Sequence, residues 1–75
     1  MEVLMRDRRL IEANVLGYRI ERVSTFDERG DIAAQWYEVF APETGALLGC
    51  FAQRSVAERD IVARELNRPL RTAAA

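Results

Sequence analysis

The sequence contains no histidine, no lysine and a single cysteine, Cys50. Without histidine there is no Ser-His-Asp or Cys-His relay and no imidazole-ligated metal. One cysteine allows neither an internal disulfide nor a CxxC metal knuckle. The glycines stand singly at Gly17, Gly30, Gly45 and Gly49, so no phosphate-cradling loop is present. Arginine or acid breaks every apolar run well short of the ~20 residues a transmembrane helix requires. These absences lead to four expectations: no enzymatic activity, no cofactor, no metal and no membrane span. The lone thiol, with too short an apolar start for a secretory segment, points to a reducing, cytoplasmic setting.

What is present suits one small domain. The chain has 75 residues, 49% hydrophobic and 31% charged, with a formal net charge of −1. We read residues 1–70 as a single compact domain and residues 71–75 as a loose tail. A domain of ~60 residues buries only ~60% of its unfolded surface, so an efficient core, a partner or oligomerisation is needed. All eleven basic residues are arginine, and alanine also occurs eleven times. That looks like the codon bias of a GC-rich bacterial genome or its phages, and guanidinium groups also pair bidentately with carboxylates and phosphates.

Hydrophobic spacing gives the elements. Val3, Leu4, Leu10 and Ile11 recur at heptad-like spacing and Glu2/Arg6 is an i,i+4 pair, predicting a helix over residues 2–14 that stops at Asn14 and Gly17. Residues 16–24 alternate as a half-buried strand, with Leu16, Tyr18 and Ile20 on one side and Arg19 and Glu21 on the other. Thr25 to Asp31 is a polar loop, with Gly30 as its positive-φ residue.

Trp36 to Phe40 has the aromatic and branched content of a strand. Ala41 to Ala46 reads as a type I turn with Gly45 in the left-handed region, and Leu47 to Ala52 as the returning strand. Pairing Ala41 with Ala46 sets Phe40 opposite Leu47, Val39 opposite Leu48, Glu38 opposite Gly49, Tyr37 opposite Cys50 and Trp36 opposite Phe51. One face then carries Trp36, Phe40, Leu47 and Phe51, the other Tyr37, Val39, Leu48 and Cys50. Ser55-Val56-Ala57-Glu58 is a capping box opening a helix over residues 55–67, which ends before Pro69.

The fold expected is therefore α+β, in the order α-β-β-β-α, with a three-stranded antiparallel meander between an N-terminal and a C-terminal helix. The expected core is Trp36, Phe40, Leu47, Phe51, Ile20, Ile61, Val62 and Leu66. Gly49 is expected to let the second helix approach the sheet. Cys50, mid-strand among apolar neighbours, reads as a small buried hydrophobe rather than a nucleophile.

Charge is unevenly spread. Residues 1–23 carry +1, residues 24–50 carry −4 and residues 51–75 carry +2. The acidic stretch holds Asp27, Glu28, Asp31, Glu38 and Glu43, opposed only by Arg29. These acids are candidates for docking on a basic partner. The loop trio Asp27, Glu28 and Asp31 is the sharper group, because a meander puts the Pro42–Gly45 turn at the other end of the sheet. Being exposed, the trio is expected to be dispensable for folding. The apolar set Tyr37, Val39 and Leu48 is the alternative interface, to a partner or to a second copy in a homodimer. Arg64, Arg68 and Arg71 share a helical stripe that could contact nucleic acid.

The run Trp36-Tyr37-Glu38-Val39-Phe40, Pro42-Glu43-Thr44-Gly45, Leu48-Gly49-Cys50-Phe51 and Ser55-Val56-Ala57-Glu58 resembles a hairpin-then-helix module of small phage and plasmid proteins. It looks like the three-stranded, one-helix arm-type domain of tyrosine integrases, over about half the chain. In size and charge the chain is also similar to single-domain anti-CRISPR proteins, phage-encoded inhibitors that occlude nucleic-acid-binding surfaces. The function expected is a small protein-binding module, an anti-CRISPR-like inhibitor from a phage or mobile element, whose acidic surface masks a basic, nucleic-acid-binding partner. The alternative is an accessory module that binds DNA or RNA through the arginine stripe.

Overall fold

A computed structural model describes residues 6–68. Four strands and one helix follow in chain order: β1 Arg6–Val15, β2 Tyr18–Phe26, β3 Ile32–Phe40, β4 Leu47–Phe51 and α1 Arg54–Leu66. The strands form one antiparallel sheet in sequential order β1-β2-β3-β4. The architecture is therefore β-β-β-β-α. No helix is long and apolar enough to cross a membrane among these residues.

The expected N-terminal helix is thus replaced, from Arg6 on, by a strand; residues 1–5 lie outside the described residues. Two features explain the misreading. Leu16 and Gly17 both have positive φ, 51° and 91°, as a two-residue type I′ hairpin turn requires. Gly17 therefore reverses the chain between two strands and does not terminate a helix. In addition, β1 carries a bulge between Ile11 and Ala13. Before the bulge the even residues Arg8 and Leu10 face the helix side; beyond it Ala13 and Val15 do. The extra residue hides the period of two that marks a strand.

The second hairpin extends farther than the sequence suggests, with β2 running to Phe26 and β3 starting at Ile32. The loop shortens to Asp27–Asp31, with Gly30 at φ 87° as expected. At the third turn Gly45 has φ 75°, and Ala41 N–H donates to the Ala46 carbonyl at 2.9 Å. A register shift between Val39 and Phe40 then alters the expected pairing: Phe40 stays opposite Leu47, but Val39 faces Gly49, Glu38 faces Cys50 and Tyr37 faces Phe51.

That slip of one residue moves Phe51 to the opposite face from Trp36. Helix α1 packs on the face of Tyr18, Ile20 and Val39, burying Ala57 and Ile61, with Val15, Tyr37, Leu48 and Phe51 at the margin. Three of the eight expected core residues are therefore on the wrong side of the sheet. Trp36, Phe40 and Leu47 occupy the face away from the helix, and Val62 and Leu66 are exposed, Leu66 by 79%. Ile20 and Ile61 are fully buried as expected, while Phe51 packs under the helix only at the core margin and no longer shares a face with Trp36. Cys50 is exposed, because β4 is an edge strand and Cys50 points to the uncovered face.

Helix α1 starts without the expected capping box. Gln53 is the N-cap residue, extended and without a side-chain cap. Glu58 turns to Arg54, whose Nε donates to it at 2.7 Å. The Asp60–Arg64 pair forms as read, at 2.6 Å, and Asn67 closes the helix by donating its side-chain amide to the Ala63 carbonyl at 2.9 Å. Gly49 makes room chiefly for a ring: a Cβ there would lie 3.0 Å from the Phe51 ring, with Arg64 Nη2 of α1 farther off at 3.8 Å.

The helix lies toward one end of the sheet. Tyr18 Oη donates to Glu65 at 2.9 Å and Arg54 Nη1 to Glu12 at 3.1 Å, which fixes the two ends of α1 over the sheet. Beyond the level of Tyr37 and Phe51 the first three strands continue without it. The result is an elongated body of 56 × 23 × 15 Å, with the β2–β3 hairpin as a projecting arm.

Candidate protein interface

The arm ends in the acidic loop. Asp27 is half-buried while Glu28, Arg29, Gly30 and Asp31 are exposed. The Asp27 carboxylate organises the turn: its Oδ1 accepts from the Arg29 N–H at 2.9 Å and the Asp31 N–H at 3.0 Å. The backbone closes the same loop through Asp27 N–H to the Asp31 carbonyl at 2.9 Å and Gly30 N–H to the Asp27 carbonyl at 3.0 Å. Asp27 is therefore a loop-building residue, which corrects the expectation that the whole trio is dispensable for folding. Glu28 has no ion-pair partner among the described residues, and Asp31 meets only Arg29, at 3.7 Å.

The other two acids lie elsewhere. Glu43 is on the β3–β4 turn, 3.9 Å from Arg68, at the end of the molecule away from the arm. Glu38 is 7% exposed, in the middle of the sheet face that lacks the helix. Its carboxylate accepts from Arg9 Nη1 at 2.7 Å and from the Trp36 indole N–H at 2.9 Å. Arg9 also reaches Glu21 at 3.1 Å, and Arg19 Nε donates to Glu21 at 2.8 Å. Arg19 further lies over the Phe40 ring, 4.7 Å from its centre. Burial pushes the Glu38 carboxyl up, but the bonds from Trp36 and Arg9 outweigh it and hold the group below the ordinary glutamate range. The same bonds, Glu38 first and then Glu21, raise Arg9.

This ladder has a structural consequence. Val23 is 1% exposed on the face without the helix, flanked in register by Arg9 and Trp36. Long side chains tied across three strands do here what a second layer does in a sandwich. Glu38 is thus a component of that cover and not a free acidic contact. One signal for the network is legible in the sequence: Trp36 and Glu38 stand two apart on a strand, and so share a face.

The alternative apolar surface is not a surface. Val39 is fully buried, and Tyr37 and Leu48 pack against the core beneath α1. In the arginine stripe, Arg64 donates to Asp60 and to the Leu48 carbonyl at 3.1 Å, and Arg68 donates to Glu65 at 2.8 Å. Arg71 lies outside the described residues. Tyr18, Pro42, Thr44, Asp60, Arg64 and Arg68 line a shallow groove of about 640 Å³ between the β3–β4 turn and the end of α1. Its charged groups are already paired with one another or with the core, and the bond from Tyr18 to Glu65 raises the phenol above its usual range.

Two of the exposed apolar residues lie on the helix-side face of the arm, apart from Leu47, Val62 and Leu66. Leu10 and Ile32 are 44% and 55% exposed. By register they share the helix-side face with Arg8, Ser24, Phe26 and Gln35. Arg8 sits 5.7 Å from the centre of the Phe26 ring. Comparison of the chain with protein-family models, with curated proteins and with solved structures finds no match.

Proposed function

We propose that the chain is a small non-enzymatic protein-binding module that engages a basic surface of its partner through the tip of the β2–β3 arm. The observation that carries this reading is the exposed Glu28/Asp31 pair at the end of a hairpin that reaches past the helix. A projecting hairpin reaches into a concave surface at low ordering cost because its loop is held by its own hydrogen bonds. Acid at such a tip steers association toward cationic patches and makes it salt-dependent. A nucleic-acid-binding protein presents that kind of patch, which is why an inhibitor of the anti-CRISPR type, encoded by a phage or mobile element, remains the best description. Direct binding of DNA or RNA through the last turns of α1 is less favoured, since Arg64 and Arg68 already bond carboxylates.

Affinity capture from a GC-rich bacterial host, with wild type and a Glu28→Arg/Asp31→Arg variant side by side, tests the reading. A protein retained at low salt by wild type, released at high salt and lost with the variant supports it. A capture unaffected by the double substitution, or a salt-steep gel shift with generic DNA, overturns it.

A further inference from the structure

We propose that the chain just past Arg68 straps the end of α1 to the β3–β4 turn, with Leu70 seated in the groove between them and Arg71 against Glu43. One flank of the helix, Asp60, Ala63, Arg64 and Asn67, faces that groove, and Arg68 stands at its rim. The chain therefore leaves the described residues from the edge of the groove. Asn67 is the C-cap of α1, and Pro69 two residues on cannot continue the helix. Just past a helix C-cap the chain commonly folds an apolar side chain back on the last turn. Two residues span at most about 7 Å, so Leu70 stays within reach of the groove.

The groove calls for an apolar cover and not for a polar ligand. Its polar side chains are already engaged: Arg64 donates to Asp60 and to the Leu48 carbonyl, and Asn67 to the Ala63 carbonyl. Arg68 and Tyr18 both donate to Glu65. Between these groups lie Pro42, Leu48 and Ala63. Residues 69–75 contain one large apolar side chain beyond the proline, Leu70, and one charged side chain, Arg71. On the far wall the Glu43 side chain is 71% exposed, and the nearest described cation is Arg68 at 3.9 Å. A second guanidinium completes that loose pair without displacing a bond.

Tethering favours this occupant over any free one. A segment joined at the rim by a short link sits at an effective concentration on the order of mM. One leucine and one rim ion pair, too little to hold a free peptide, are then enough to seat it. The inference goes beyond the functional reading above. The groove and the acidic tip lie at opposite ends of the molecule, and the strap is measured with no partner present, so either can fail alone.

Nuclear magnetic resonance of the full chain tests it. The Leu70 methyls should show nuclear Overhauser contacts to Pro42 or Leu48, and the Leu70 amide an order parameter above about 0.6, the level below which backbone is flexible. Leu70→Asp should abolish the contacts, drop the order parameter at Arg71 and shift the Thr44 and Leu48 amides, while the Ile20 and Ile61 signals of the core stay in place. Leu66→Asp, on the exposed face of α1, should leave the contacts intact. A wild-type Leu70 amide below that level, or one without contacts to the groove, overturns the proposal. So do contacts that fade on dilution from about 1 mM to about 50 µM, since a tethered segment does not respond to dilution and the tail of a second copy does.

Discussion

Trp36 donates its indole N–H to Glu38, two residues along the same strand, at 2.9 Å. Because Arg9 reaches the same carboxylate from β1, this pair links the edge of the sheet to its third strand. Glu38→Ala leaves the indole N–H without its acceptor and should cost about 1–3 kcal/mol. Glu38→Gln keeps an acceptor and should cost less. Urea midpoints followed by the fluorescence of Trp36, the sole tryptophan, read both.

The same carboxyl sets an acid limb. Its value is depressed in the folded chain, so its contribution is fully present above the ordinary glutamate pKa of about 4.3. It is lost as pH falls through the lowered folded value. Wild type and Glu38→Gln should therefore converge in stability at the acid end. A gap that stays constant down to about pH 2, well below the ordinary glutamate value, would contradict the assignment.

At the other extreme of pH, Tyr18 governs. The bond to Glu65, with burial, raises its phenol. Stability from that bond is complete below the ordinary tyrosine pKa of about 10 and declines as pH rises through the raised folded value. Tyr18→Phe should remove this alkaline decline while lowering stability at neutral pH. Thermal midpoints across the alkaline range are the measurement.

Leu16 has φ 51°, a conformation that costs a non-glycine residue on the order of 1 kcal/mol. Its side chain is 63% exposed, so little burial offsets the strain. Leu16→Asn, matching the Asn-Gly preference of the turn, should stabilise by about 0.5–1 kcal/mol. Gly17→Ala should do the reverse, since φ there is 91° and a Cβ would lie 3.4 Å from Pro42. Denaturant midpoints of the two variants should move in opposite directions.

Within the acidic loop, Asp27→Ala removes the acceptor of two backbone N–H groups and should cost about 1–2 kcal/mol. Glu28→Ala, exposed and unpaired among the described residues, should fall within about 0.5 kcal/mol of wild type. Hydrogen exchange at the Arg29 and Asp31 amides should accelerate only in the first variant.

Turn chemistry and strand content were legible where local residues decide them. Gly30 and Gly45 take positive φ, Trp36 to Phe40 is a strand, and Asp60/Arg64 supports a helix close to where it was read. What failed depended on long-range pairing. The bulge in β1 masked its alternation, so Leu10 and Ile11 imitated a helical stripe. The register shift near Phe40 exchanged Phe51 for Trp36 across the sheet, and with it the identity of the core. Trp36 and Phe40 make the uncovered face of β3 look like core, and Glu38 between them is the one local sign against it. The loop trio was visible as acid in the sequence, but the role of Asp27 in holding the loop appears only once Arg29 N–H and Asp31 N–H are seen to converge on one oxygen.

The sequential order β1-β2-β3-β4 bears on how the chain reaches its structure. Each strand pairs only with the strand just before or after it, so each ladder can zip outward from its own turn after a short loop closure. Only the docking of α1 onto β1 and β2, through Glu12–Arg54 and Tyr18–Glu65, must span more than forty residues. Those contacts come at the highest entropic cost and belong late in the search, after the Leu16-Gly17 and Asp27–Asp31 hairpins. Replacing Ile61 by valine should therefore speed unfolding more than it slows folding, whereas Ile20 to valine should slow folding as well.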